Sequence, residues 1–288
     1  MRTEQPPGTV SKILWHFTGG PRWNTDKNRQ ESRSKPSAEA YEILLSILRS
    51  KLLWLGQYRE VVTARVPKQR FSKDRKSGPE LFTNEKVMSS RVCCLADIPV
   101  AHLSYQAQRY GKIAIGFHRD AAVRHGFNPV FYTLHDAKVL RSVYECFEQL
   151  RYKAADALGD AESNISSAIE DLTCQQGHQV DVDRGQLDIS WEMRDIEDAV
   201  TAARQSLRAF LAFVKTFNQR QSASIYCERE WRSIKAFPFR PNDVAMIVLP
   251  TKDVSGVSHF KRFVTEGARS LRIPRSIPVV PWEDLVEH

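Results

Sequence analysis

The sequence predicts an α+β fold in which a helical insertion interrupts one mixed domain, and three observations carry that expectation. Short β-branched or aromatic runs recur near both ends of the chain at irregular spacing. The central stretch switches to the 3.6-residue period of amphipathic helices. In 288 residues, 42% hydrophobic and 10% aromatic content against 26% charged suffices to bury a core and excludes a disordered chain. The strict strand–helix rhythm of a doubly wound sheet is missing.

Ile13-Leu-Trp-His-Phe-Thr-Gly-Gly20 is an apolar run stopped by two glycines and reads as a strand ending in a tight turn. Ser37 is placed to cap a helix over residues 38–54, whose Tyr41, Leu44, Leu45, Leu48 and Leu52 define one buried face. Residues 58–66 are β-branched and strand-like. A short strand is expected at 91–95, and Asp97-Ile-Pro99 leads into a helix that Gly111 ends after Tyr110. Strands at 112–117 and 129–133 flank a helical piece at 120–125. Beyond residue 136, Val139, Leu140, Val143, Phe147, Leu150 and Ala154 keep the helical period. So do Met193, Ile196, Val200, Ala203, Leu207, Phe210, Leu211, Val214 and Phe217. These predict two long antiparallel helices, with a third around 163–172 and a polar link at 173–188. Strands resume at 223–236 and 244–250, followed by a helix at 255–271 and a terminal strand at 278–281. The expected division is an α+β domain of residues 1–135 and 222–288 around a helical insertion of 136–221.

No run approaches the roughly 20 apolar residues that span a bilayer, and the polar start Met1-Arg-Thr-Glu-Gln-Pro-Pro carries no apolar leader core. Cys93, Cys94, Cys146, Cys174 and Cys227 form an odd set without paired spacing, as expected of reduced thiols in a cytoplasmic protein. No zinc spacing, H-E-x-x-H, P-loop, G-x-S-x-G or G-x-G-x-x-G occurs, so a metal centre is not expected. A net charge of +8 suits contact with nucleic acid or another polyanion, or simply a basic surface. Residues 68–76, Lys-Gln-Arg-Phe-Ser-Lys-Asp-Arg-Lys, place five cations in a Pro- and Gly-bounded loop. A solvated loop is the plainer reading, and a nucleic-acid arm is the other.

The chemistry concentrates at Ile225-Tyr-Cys-Glu-Arg-Glu-Trp-Arg232. In a strand, residues two apart share a face, which groups Tyr226, Glu228, Glu230 and Arg232. Adjacent carboxylates repel, and one is expected to titrate high unless Arg229 and Arg232 neutralise the pair. His16 and Thr18 offer an imidazole and a hydroxyl at a strand end, beside glycines that let a backbone approach a ligand. A satisfied histidine near a turn is the alternative. Tyr110 is a weaker candidate, and Asp97 reads as a helix cap. Cys93 and Cys94 read as core rather than as nucleophiles.

Taken in order, His-Phe-Thr-Gly, Val-Cys-Cys-Leu-Ala-Asp-Ile-Pro, Tyr-Gly-Lys-Ile-Ala-Ile-Gly-Phe, Asn-Pro-Val-Phe-Tyr and Glu-Arg-Glu-Trp-Arg resemble the AbiGi-type abortive-infection family of bacterial anti-phage proteins. The motifs lie within residues 13–133 and 222–250, outside the helical insertion. One departure is Cys94-Leu95, where that family usually has Cys-Phe. More remotely, the pieces resemble the ADP-ribosyltransferase plan. That resemblance implies a split β-sheet core and NAD as substrate without a metal, with His16, Phe17 and Thr18 holding its ribose side. Tyr110 would stack on nicotinamide, Glu230 would be the catalytic glutamate, and Glu228 would activate a nucleic-acid or protein acceptor. Family members have also been called antitoxins, which implies instead a non-enzymatic component that binds a cognate toxin.

Overall fold

The computed structural model describes residues 11–24, 26–27, 29–67, 82–174, 182–218, 220 and 228–286. The chain is a mixed α+β protein that separates into two compact units. The first comprises Met1–Glu60, Ser90–Tyr132 and Ala212–His288.

Seven strands of the first unit form its sheet: β1 (Ile13–Phe17), β2 (Cys93–Ala96), β3 (Ala114–His118), β4 (Asn128–Pro129), β5 (Glu230–Ser233), β6 (Val244–Leu249) and β7 (Val279–Pro281). Their spatial order is β7-β6-β3-β1-β2-β5-β4. All neighbours run antiparallel except β6 and β7, which are parallel. Period-two alternation sends Leu14 and Trp15 into different apolar layers. Leu14, Leu95, Ile115 and Leu249 pack with Ala40, Tyr41, Leu44 and Leu48 of helix α1 (Ser37–Ser50). Trp15, Ala96, Ala114 and Val248 pack instead with Ile98, Trp282 and Leu103, the last from helix α2 (Leu103–Tyr110). Ser37 is the first helical residue rather than a side-chain cap, because Pro36 takes the cap position. Helix α3 (Arg119–Arg124) follows β3 directly.

The second unit comprises Val61–Ser89 and Thr133–Leu211. Strands Arg59–Pro67 and Phe82–Arg91 pair, the second of them unexpected from the sequence. Within the unit, Tyr144 donates to Val62 O at 3.1 Å, and the Arg65 and Arg141 guanidinium groups lie 4.8 and 4.9 Å from the Phe82 ring. Helices α4 (Lys138–Cys174) and α5 (Val182–Leu211) pack on one another. The helix expected at 163–172 is the end of α4, since Gly159 alone does not stop a helix of this length. The helical period expected to continue through Val214 and Phe217 stops at Leu211. Val214–Phe217 is a strand, and Phe213 O accepts the Phe131 N–H at 2.7 Å. Tertiary pairing of a β-branched segment there overrides the apolar period. The basic loop at 68–76, Tyr226 and Cys227 lie outside the described residues.

The helix expected at 255–271 begins at His259. Before it, the Asp253 carboxylate accepts from Ser255 N, Ser255 Oγ and Val257 N, holding residues 253–257 in a turn.

Candidate functional site

One cleft in the first unit is lined by His16, Phe17, Cys94, Gln106, Tyr110, Glu228 and Glu230, with Trp15, Leu95 and Ala96 at its base. It opens where β1 and β2 part. The two strands pair at Trp15↔Ala96, whereas β1 with β3 holds five pairs and β2 with β5 holds four. Beyond Trp15↔Ala96, the His16 imidazole takes over a carbonyl: Nδ1 lies 3.1 Å from Cys94 O. A carbonyl only accepts, so the proton sits on Nδ1 and Nε2 is an acceptor. Burial lowers the His16 pKa from its ordinary value. The Cys94 carbonyl opposes that effect, and the Lys35 charge adds to it.

Thr18 is not in the lining. It is 3% exposed, and its hydroxyl lies 3.5 Å from Ile113 O. The glycines after it serve a neighbour rather than a ligand. A Cβ on Gly19 would stand 2.6 Å from Tyr110 O, and one on Gly20 would stand 2.8 Å from Tyr110 Cδ1. The turn therefore exists to admit Tyr110, whose ring is 6.3 Å from that of Phe17. Gly111, at φ 76°, ends α2 and fixes Tyr110 there. Burial raises the Tyr110 hydroxyl to about 12, so it remains a neutral donor.

Glu228 and Glu230 both reach the cleft, though not by strand alternation. The strand begins at Glu230, Glu228 lies in a turn, and Arg229 between them has φ 38°. The backbone reversal, not the pleat, brings the two carboxylates together. The Glu230 N–H donates to the Tyr132 hydroxyl oxygen at 2.9 Å, and Glu230 O accepts from Val130 N at 2.9 Å.

Cations surround the pair. Arg232, with 0% of its side chain exposed, donates to Glu230 Oε2 at 2.8 Å, Glu60 Oε2 at 2.7 Å and Ala212 O at 2.8 Å. Tyr58 donates to Glu60 at 2.6 Å. Lys215 pairs with Glu228 and lies 3.7 Å from Glu230 Oε2. Arg109 reaches Glu228 at 3.4 Å and Gln30 at 3.0 Å. The high titration expected of one carboxylate is therefore reversed. Burial pushes Glu230 up, but Arg232 and Lys215 outweigh it and hold it at about 2, with the Cys94 thiol also donating. Cys93 is buried in the core as expected, whereas Cys94 lines the cleft, where burial raises its thiol well above its ordinary value and disfavours the thiolate a nucleophile needs. Glu230 is a permanent anion at neutral pH.

Asp97 does not cap a helix. Its Oδ2 accepts from Arg119 at 2.8 Å and from Arg229 at 3.3 Å. Of the two arginines expected to neutralise the glutamates, Arg232 does so and Arg229 turns to Asp97.

The structure thus brings together His16, Phe17, Tyr110, Glu228 and Glu230. It keeps Arg232 beside Glu230, as the sequence grouping had it, and adds Arg109, Lys215 and Glu60, which sequence reasoning did not assign to the site. Lys215 was hidden in an apolar stripe, and Glu60 was one carboxylate in a β-branched run. Among the described residues, no group of three or more His, Cys, Asp or Glu is placed to hold a metal ion, and no helix is long and apolar enough to cross a membrane.

Fold and site define a mixed α+β protein with a cleft whose two carboxylates are each paired with cations, at a parting of its sheet. The chain belongs to the AbiGi family: residues 68–262, more than half of its length, match the family model described as "Putative abortive phage resistance protein AbiGi, antitoxin". The match runs through both long helices and begins after the His16 strand, so it reaches further into the insertion than the sequence motifs do. No curated protein and no solved structure gives a significant match.

Proposed function

We propose that this family member acts in abortive phage defence as an ADP-ribosyltransferase-like effector, with NAD as substrate and a nucleic acid or protein as acceptor. The observation that carries the reading is the convergence of His16, Phe17, Tyr110, Glu228 and Glu230, from three distant stretches of sequence, on one cleft.

The chemistry follows from the charges. Breaking the bond between C1′ of the ribose and the nicotinamide nitrogen sends the electron pair to nicotinamide and leaves positive charge on the ribose. Glu230, held as an anion, stabilises that charge as it develops. Both of its cations address Oε2. Neutral His16 presents Nε2 to a ribose hydroxyl as an acceptor, and Tyr110 supplies an aromatic wall. The acceptor's nucleophile then bonds to C1′, and Glu228 takes its proton. Glu230 serves as the charge stabiliser rather than as an acid, because it does not hold a proton near neutral pH.

The test is incubation of the purified protein with labelled NAD and cell extract. Label should transfer with wild type and not with Glu230→Gln. Equal transfer by both, or transfer by neither, removes the enzyme reading.

The second reading rests on the family's description as an antitoxin. In it the chain binds a cognate toxin and performs no chemistry. Expression in cells separates the two. An effector harms the cell alone and is harmless as Glu230→Gln, whereas an antitoxin is harmless alone and rescues cells from its toxin.

A further inference from the structure

We infer that Asp97 and Arg229 form a latch that positions Glu228 beside Glu230. The inference rests on the NAD reading of the cleft only for its catalytic consequence.

Arg229 is one of three described non-glycine residues with positive φ. An L-residue enters that region against its side chain and stays only where surrounding contacts hold it. Asp97 supplies two such contacts from a separate strand end. Its N–H donates to Arg229 O at 2.9 Å, and its Oδ2 accepts from Arg229 Nη2 at 3.3 Å. One residue thus grips both the backbone and the side chain of the strained position. Arg119 completes the cluster, donating to the same Oδ2 at 2.8 Å while its guanidinium lies 5.4 Å from the Trp231 ring. The cluster stands behind the cleft, since Asp97, Arg119, Arg229 and Trp231 are not among its lining residues.

The consequence falls on Glu228. Lys215 and Arg109 hold its carboxylate, but it precedes the strand, so the sheet ladder does not fix its backbone, which the turn at Arg229 places instead. In a regular strand the first residue is held by its neighbours' hydrogen bonds. Here the latch does that work, which makes Asp97 and Arg229 positioning residues for the proton-accepting carboxylate. Glu230 is held separately, through Tyr132, Val130 and Arg232.

The experiment uses the full chain and compares wild type, Asp97→Asn, Arg229→Gly and the double variant. Hydrogen exchange is followed across residues 228–233, with β3 (Ala114–His118) as internal reference, beside ADP-ribosyl transfer from NAD. Asp97→Asn should speed exchange at 228–230 at least tenfold over β3. It should lower kcat about tenfold with less than a twofold change in KM for NAD. Glycine accepts positive φ without strain, so Asp97→Asn should have a much smaller effect in the Arg229→Gly background. If exchange at 228–230 is unchanged, or rises equally in β3, the latch is overturned. An inactive wild type with the predicted exchange pattern removes the NAD reading and keeps the latch. An active wild type with unchanged exchange does the reverse.

Discussion

Arg232→Met is the most exacting perturbation of the cleft. The arginine side chain has no exposure and donates to two carboxylates and a carbonyl. Methionine fills much of the same volume without charge. Removing one partner of a buried ion pair costs about 3–5 kcal/mol, because the remaining charge has been desolvated without compensation. The titration of Glu230 gives a second route to the magnitude. A carboxylate that titrates near 2 instead of its ordinary 4.5 contributes about 3 kcal/mol to folding at neutral pH. Because its folded pKa is depressed, that stability is fully present above about pH 5. It is lost as the pH falls through the window between the unfolded and folded values.

Urea unfolding followed by circular dichroism between pH 2 and pH 8 is the assay. Arg232→Met should lose about 3–5 kcal/mol at pH 7. Its curve should also flatten between pH 5 and pH 2, because Glu230 moves back toward its ordinary range with only Lys215 and the Cys94 thiol left to hold it down against its burial. Arg232→Met with Glu230→Gln should recover part of the loss, since one orphaned charge is gone. Stability curves that stay parallel between pH 5 and pH 2 would refute the claim that Arg232 sets the charge on Glu230.

Three further outcomes are expected. Gly19→Ala should destabilise by about 1–3 kcal/mol, because its Cβ meets backbone at Tyr110 O. Gly20→Ala meets only the Tyr110 ring, so Tyr110→Ala should relieve the second substitution and not the first in thermal melts. His16 should show nitrogen NMR shifts of a neutral Nδ1–H tautomer at pH 7. Because burial lowers its pKa, it should weaken the fold as the pH falls below the unfolded histidine value of about 6.5, and His16→Asn should remove that acid-side loss. In the transfer assay, Glu228→Gln should lower kcat while retaining NAD binding, whereas Glu230→Gln should abolish turnover.

The parts of the fold that were legible in the sequence are those fixed by local chemistry. The apolar run at Ile13–Phe17, the helix ended by Gly111 and the strand at Val244–Leu249 each carry their signal in a few adjacent residues. What was not legible depends on partners far along the chain. Val214–Phe217 continues an apolar helical period and becomes a strand because Phe131 pairs beside it. Gly19 and Gly20 signal close approach correctly, but the approaching group is Tyr110, some 90 residues away in sequence. The acidic pair was found through an assumption that fails locally. Alternation along one strand groups Glu228 with Glu230, yet the pair meets through a left-handed turn at Arg229, which composition does not announce. The charge balance was legible in part: Arg232 neutralises Glu230, as one of the two sequence readings had it, whereas Lys215 is invisible as a partner until the chain folds.

The charge balance also bears on which functional reading the cleft favours. A buried ion pair is weak evidence of stability, since a well-packed apolar replacement is often as stable or more so. Of the carboxylates in this cluster, Glu228 and Glu230 line the cleft; Arg109 and Lys215 pair with Glu228, and buried Arg232 joins Glu230 to Glu60. A surface built only to dock a toxin would place its charges at a solvated rim, where they steer encounter at little desolvation cost. Here Glu230 is largely buried, paired with two cations and bounded by an aromatic wall and a neutral imidazole, an arrangement suited to charge appearing inside the cleft. The antitoxin reading gives this anion no chemical role. Neutralising Glu230 is the substitution on which the two readings diverge. It silences an effector, and it leaves a docking surface able to bind its partner.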